Sequence, residues 1–293
     1  MPEEIRELLA EYQEGRITRR EFVARAVTIT GSLAAADALL GSLFSSAPAY
    51  AATVDPNDPA LVSERVTFAG SGGTVFGYLS RPKDSARRPA IIVIHQNSGL
   101  NDHIEDVARR FAKEGFVALA PDYLSRHGGK DKVPGAEKGL GNISQLAPSG
   151  VVREETEAAI AYLKGRKEVR ADHIGVVGFC WGGTSAFFAA TQIRGLKAVV
   201  VYYGSSPNPI DLVRHIEAPV MAHYGEKDQV PNINARIPET AEAMAKYNKV
   251  FEYKIYSGAG HAFNDDSRAT RYHPESSKEA WTKTVAFLKK HST

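Results

Sequence analysis

From Val66 onward, apolar positions come in short runs separated by polar stretches of helical period, which predicts βαβ units over a mainly parallel sheet. Val66–Phe68 and Val75–Leu79 flank Ser71-Gly72-Gly73 and predict a hairpin. Ala90-Ile91-Ile92-Val93-Ile94 is uninterrupted, as suits a strand buried on both faces. Ile104, Val107, Ala108 and Phe111 stand at i, i+3, i+4 and i+7 on one helical face. Phe116–Leu119, closed by Pro121, is a second central strand. Residues 122–149 hold many Gly, Lys and Ser without a period; so long an irregular segment inside a compact domain is usually a functional loop or lid. Helix 151–164, strand Ile174–Val177, helix Thr184–Gln192, strands Ala198–Tyr202 and Val220–Tyr224, helix Ile237–Tyr247, strand Val250–Tyr256 and helix Lys278–Lys290 complete the series. The expected fold is α/β, with helices on both faces of the sheet.

The first fifty residues follow another pattern. Thr18-Arg19-Arg20-Glu21-Phe22 introduces a stretch from Ala26 to Phe44 that carries no Lys or Arg. Thr28, Thr30, Gly31, Ser32, Asp37 and Gly41 make that stretch too weakly apolar for a stable membrane anchor. Ala47-Pro48-Ala49 and Ala49-Tyr50-Ala51 follow as small-x-small sites. The arrangement resembles a twin-arginine export signal, Ser/Thr-Arg-Arg-x-Phe-Leu-Lys, departing from it at Val23 and Ala24. That resemblance implies a signal segment over residues 1–51, a mature domain over 52–293, and a periplasmic or extracellular location. A bland alternative is an N-terminal amphipathic helix carrying Ile5, Leu8, Leu9 and Tyr12.

Composition narrows the function. At 43% hydrophobic and 24% charged, the 293 residues supply a packed core. The 36 basic residues nearly cancel the 34 acidic ones, and no basic block interleaves with aromatics, which disfavours nucleic-acid and anionic-membrane partners. A small-molecule partner is expected. The single cysteine, Cys180, excludes an internal disulfide and a Cys-rich zinc site.

That cysteine lies in Gly178-Phe179-Cys180-Trp181-Gly182-Gly183, between an expected strand and an expected helix. Gly-x-Ser-x-Gly in this context is a nucleophile elbow, whose small flanking residues let a strained turn lift the nucleophile above the sheet. Here cysteine takes the place of serine. With 25 glycines in the chain, glycine at both −2 and +2 of a lone cysteine has a chance of about 0.7%. A helix N-terminus also lowers a thiol pKa toward the reactive thiolate. The competing reading is a buried, inert thiol.

A thiolate needs a base, and the base an orienting acid; elbow enzymes supply both downstream, acid first. Asp228, just past the strand ending at Tyr224, and His261, just past the last strand, occupy such loops. Glu226, Asp265 and Asp266 are the competing carboxylates, and His215, His223, His273 and His291 the competing histidines. For the oxyanion hole, Trp181 supplies one backbone N–H. Asn97, with Gln96 as second choice, supplies the other from His95-Gln96-Asn97-Ser98-Gly99. His95 is a poor zinc candidate without a His-x-x-x-His pair or a second cysteine.

Gly-Phe-Cys-Trp-Gly-Gly, Gly-Glu-Lys-Asp and Gly-Ala-Gly-His-Ala-Phe, in this order, resemble the motifs of the dienelactone hydrolase (carboxymethylenebutenolidase) family over roughly residues 60–290. The resemblance implies an α/β-hydrolase fold with a Cys180–Asp228–His261 triad, acting on a lactone or carboxylic ester through a thioester, with no cofactor. It also implies a substrate-binding role for position 96, where this chain has Gln96 instead of the family glutamate that activates the thiol. Arg126 stands where the family places an arginine for a substrate carboxylate. A general carboxylesterase, a peptidase and a non-catalytic binding protein on the same fold remain alternatives.

Overall fold

The computed structural model describes residues 53–292, the helix α1 (Arg19–Thr30) and residues 4, 7, 8, 11 and 17. The chain divides into two compact units, Met1–Ala51 and Ala52–Thr293. In the first, α1 begins at the arginine pair. The rest of the expected apolar stretch beyond Thr30, both small-x-small sites, and Ile5, Leu9 and Tyr12 lie outside the described residues. Among the described residues no helix is long and apolar enough to cross a membrane.

The second unit is built on one eight-stranded sheet. Its strands are β1 (Leu61–Gly70), β2 (Gly73–Pro82), β3 (Arg88–Ile94), β4 (Val117–Pro121), β5 (Val169–Phe179), β6 (Val199–Tyr202), β7 (Val220–Gly225) and β8 (Phe251–Tyr256), in the order β1-β2-β4-β3-β5-β6-β7-β8. β1 pairs with β2 and β2 with β4 antiparallel; β4, β3 and β5 to β8 run parallel. The mainly parallel α/β-hydrolase arrangement expected from the sequence is the one observed. Every residue from Ala90 to Ile94 is fully buried, and each large aliphatic side chain there contributes about 1.5–3 kcal/mol of burial.

The helices are α2 (Asp102–Lys113), the short α3 (Ile143–Leu146), α4 (Ser149–Lys164), α5 (Trp181–Gln192), α6 (Ile237–Lys246) and α7 (Pro274–Ser292). α2 and α7 bury Ile104, Val107, Phe111, Ala280, Phe287 and Leu288 against one face of the sheet. α4, α5 and α6 bury Val152, Ala159, Phe187, Ile237 and Met244 against the other. α2 starts where the Asn101 side chain accepts the Ile104 N–H at 3.1 Å, a cap worth about 1 kcal/mol.

Residues 122–149 are not a bare loop. They fold into three short 3₁₀ turns and α3. Leu124, Ala136, Leu140 and Ile143 form a small core of their own, against which Trp181 packs. The segment thereby forms a wall beside the elbow.

Candidate active site

Cys180 sits at φ 56° and ψ −119°, between the end of β5 and the start of α5. A non-glycine residue here is strained by about 1–3 kcal/mol and persists only where its surroundings fix it. They do: the Cys180 N–H donates to Tyr202 O at 3.0 Å, and its carbonyl accepts the Thr184 N–H at 3.1 Å. The flanking glycines are needed for space. A Cβ on Gly178 would collide with the Gly182 carbonyl, and one on Gly182 with the carbonyls of Ile94 and His95. The second collision shows how closely the loop after β3 rests on the elbow. Cys180 is half-buried.

β7 and β8 deliver the other two groups to the same sheet edge. His261 Nε2 lies 3.1 Å from Cys180 Sγ, and its Nδ1 lies 2.8 Å from Asp228 Oδ2. The Asp228 side chain is fully buried, and its Oδ1 accepts the Val230 N–H at 2.9 Å. Burial alone would lower the imidazole pKa, but the hydrogen bonds and charges of Asp228 and Cys180 outweigh it and raise the pKa to about 9. The geometry therefore suits an imidazolium held between the Asp228 side chain and the Cys180 sulfur. Ala262, at φ 63°, turns the chain just after His261.

The competing groups are placed elsewhere. The Glu226 carboxylate accepts from Ser257 and from the Gly258 N–H. His223 is buried between Tyr256 and Thr284, and burial lowers its pKa to about 3. Asp265 and Asp266 anchor the back of the His261 loop. Asp265 meets Arg268 at 3.2 Å, and Asp266 meets His103 at 3.0 Å and Arg110 at 2.5 Å. The ligand atoms of His103, Asp265 and Asp266 lie within 4.8 Å of one another, but these arginines already neutralise both carboxylates.

Trp181 opens α5, so its N–H has no helical acceptor and points from the helix N-terminus. The Asn97 carbonyl accepts the Leu140 N–H at 2.9 Å, tying the loop after β3 to the wall segment. Gln96 is nearly fully buried, and its Nε2 donates to Asp265 Oδ2 at 2.9 Å. The Arg126 guanidinium is held by partners of its own, Glu154 at 2.7 Å, Glu155 at 3.0 Å and Ser71 at 2.9 Å. It is not among the groups gathered at Cys180.

Two residues hold places beside the triad that the sequence reading did not give them. His95 stacks on Trp181 with ring centroids 5.5 Å apart. The Tyr203 ring stands edge-on to His261 at 5.2 Å, with its hydroxyl buried and unpaired among the described residues. The aromatic pair Tyr202-Tyr203 before Gly204, at the end of an apolar strand, was the available signal.

Comparison with known proteins agrees with this architecture. Residues 75–292 match the model of the dienelactone hydrolase family. A Bradyrhizobium protein named "probable 2-oxo-3-(5-oxofuran-2-ylidene)propanoate lactonase" is 36% identical over 237 residues, 77% of this chain and 93% of that one. A Methylorubrum extorquens protein assigned as a carboxymethylenebutenolidase is 29% identical over 82% of this chain and 84% of its own. Among solved structures, a Klebsiella pneumoniae protein assigned to the dienelactone hydrolases superposes with a TM-score of 0.71 at 30% identity, covering 78% of this chain and 99% of that one. The fold and site thus define an α/β hydrolase. The chain belongs to the dienelactone hydrolase family.

Proposed function

We propose that this protein hydrolyses a lactone or carboxylic ester through a covalent thioester on Cys180. The observation that carries the reading is the unbroken line from Cys180 Sγ through the His261 ring to Asp228, at 3.1 and 2.8 Å. His261 takes the thiol proton, because the Gln96 amide cannot. The thiolate attacks the substrate carbonyl while the N–H groups of Trp181 and Asn97 stabilise the oxyanion, about 3–4 kcal/mol for one such donor. The His261 imidazolium then protonates the departing alkoxide or enolate. The neutral ring next draws a proton from water, hydroxide attacks the thioester carbon, and the thiolate leaves. Asp228 fixes the imidazole tautomer throughout. Esters and lactones outrun amides, whose nitrogen leaves less readily.

A panel of lactones, short activated esters and peptides, run beside Cys180→Ala, tests this. Hydrolysis should be lost in the variant and an acyl adduct trapped on Cys180 in the parent. Hydrolysis that persists unchanged in the variant ends the proposal.

The same reading takes residues 1–51 as a twin-arginine-type export signal and 52–293 as the mature domain. Support comes from the arginine pair and the small-x-small sites alone. Intact mass of the protein recovered from a periplasmic fraction checks it, and a chain retaining Met1 there would refute cleavage.

A further inference from the structure

β8 ends the sheet: among the described residues it pairs with β7 on one side and with no strand on the other. Its ladder fixes which backbone groups are left over. The Val220 N–H donates to the Val250 carbonyl and the Glu226 N–H to the Tyr256 carbonyl, both at 3.0 Å. Backbone groups alternate in direction along a strand, so those of residues 250, 252, 254 and 256 turn toward β7. Those of Phe251, Tyr253 and Ile255 turn outward. Such an outward row is a template for one more strand.

The side chains alternate as well. Phe251 stacks on Phe187 of α5 and on Tyr253, with ring centroids 5.9 and 5.4 Å apart, which puts Phe251, Tyr253 and Ile255 on the α5 side of the strand. Glu252 and Lys254 lie on the other side, where they meet Lys290 and Glu279 of α7. Natural edge strands are commonly guarded by charge or proline. This one is charged only toward α7. Val250, Tyr253 and Ile255 are three of the five large apolar side chains exposed among the described residues, so the apolar exposure of the molecule is concentrated on this edge.

We infer that β8 is a self-association edge, on which a second copy of this chain lays its own β8 antiparallel about a two-fold axis at Tyr253. Antiparallel pairing bonds outward residues to outward residues, so the axis can fall at Tyr253, or between bonded pairs at Glu252 or Lys254. An axis at Glu252 sets two glutamates directly opposite, and one at Lys254 sets two lysines opposite; like charges so placed oppose pairing. With the axis at Tyr253, Glu252 stands opposite the partner's Lys254, and this opposite-charge contact forms twice. Phe251 then faces the partner's Ile255, and Val250 faces the partner's Tyr256. One register satisfies the outward backbone groups, the charges and the exposed apolar strip together. The pairing is isologous and closes at two copies, joining two eight-stranded sheets into one. It is independent of the Cys180 reading above, since the triad is complete within one chain. It bears on the site mechanically, because β8 runs directly into the loop that presents His261.

Sedimentation velocity of the full chain over a range of concentrations tests this. The parent should reach twice the mass of its single chain. Glu252→Lys sets like charges at both contacts, and Lys254→Glu does the same with the opposite sign, so each variant alone should self-associate about tenfold or more weakly. Both side chains are nearly half exposed, so neither substitution threatens the fold, which circular dichroism checks. Mixed in equal amounts, the two variants become complementary again, and a mixed dimer should form with near-parental affinity. A parent that stays monomeric at every concentration would overturn the pairing and leave the edge to a strand of another protein. Dimers undiminished in both variants would place the contact on another surface. Folded variants that weaken but do not recombine would refute the register and the axis at Tyr253.

Discussion

Two histidine–carboxylate pairs stand at the same edge of the sheet, and only one of them is equipped for proton transfer. His95 follows β3 and faces Asp122 after β4, with Nε2 3.8 Å from Oδ1; His261 follows β8 and faces Asp228 after β7 at 2.8 Å. The His95 ring is fully buried, its Nδ1 lies 2.6 Å from the Gln96 carbonyl, and its Nε2 accepts the Tyr123 N–H at 3.1 Å. Burial holds its pKa below the ordinary histidine range, against the opposing pull of Asp122. His261 keeps one nitrogen for a half-buried thiol and is pushed the other way, to about 9. A nearby carboxylate does not make a base. What decides is whether the second nitrogen meets backbone or a reactive atom.

Deleting that reactive atom should produce the largest effect. Cys180→Ala leaves His261 with no partner for Nε2, and turnover should fall by on the order of 10⁴-fold or more. Circular dichroism and the melting curve should stay near the parent's. Retained turnover would erase the distinction between the two histidines.

Asp228→Asn comes next, with a loss on the order of 10³-fold, because the amide can fix the wrong tautomer and no longer stabilises the imidazolium. Its pH profile sharpens the comparison. In the parent, kcat/KM should fall as pH rises through about 9, where His261 loses the proton that the proposed mechanism has it give to the leaving oxygen. The variant should bring that limb to lower pH. Stability follows the same sign: a folded pKa raised above the unfolded value of about 6.5 stabilises fully below that value and loses its contribution as pH rises through about 9. An alkaline limb that stays in place in Asp228→Asn would mean that Asp228 does not set the His261 proton affinity.

His95→Leu should invert the pattern. It leaves the Tyr123 N–H buried without a partner, while the Gln96 carbonyl keeps the Gly99 N–H at 3.1 Å, at a cost of about 1–3 kcal/mol, or roughly 3–10 °C in Tm. Turnover per folded molecule, measured well below the melting range, should fall less than about tenfold. A large loss of turnover with an unchanged Tm would make His95 a chemical group after all.

The sequence disclosed these two histidines unequally, for a physical reason. Runs such as Ala90–Ile94 and the glycines around Cys180 act through local sterics and burial, so strand, elbow and helix could be read in order. β5 begins earlier than its apolar run suggests, at Val169 rather than Ile174. Its first half, Arg170 to His173, is only partly covered and so lacks an apolar signature. The wall segment stayed illegible because its 3₁₀ turns are too short to show a period and its core is completed by Trp181 from another element. The side-chain partners of Gln96 and Arg126 could not be read because they are distant in sequence: Asp265 is 169 residues from Gln96, and Glu155 is 29 residues from Arg126. Long-range pairing of polar side chains leaves no local trace.

Gln96→Glu probes that hidden pairing and carries the smallest effect. The Gln96 amide donates to Asp265, whose carboxylate also accepts the Ser267 N–H at 3.1 Å, and both side chains are almost wholly buried. A glutamate here sets two carboxyl groups at hydrogen-bond distance, and Arg268 at 3.2 Å can balance only one. The new group must keep its proton to preserve the bond, so its folded pKa rises above the unfolded value of about 4.3. A carboxyl raised on folding stabilises at low pH and loses that contribution as pH rises past the unfolded value. The variant should therefore match the parent near pH 4 and lose about 1–2 kcal/mol by pH 8, visible as a Tm gap that opens with pH. The alkaline limb near 9 should stay put, since the perturbation falls on the far side of the His261 loop. A Tm gap independent of pH would show that the Gln96–Asp265 bond contributes nothing to how that loop is held.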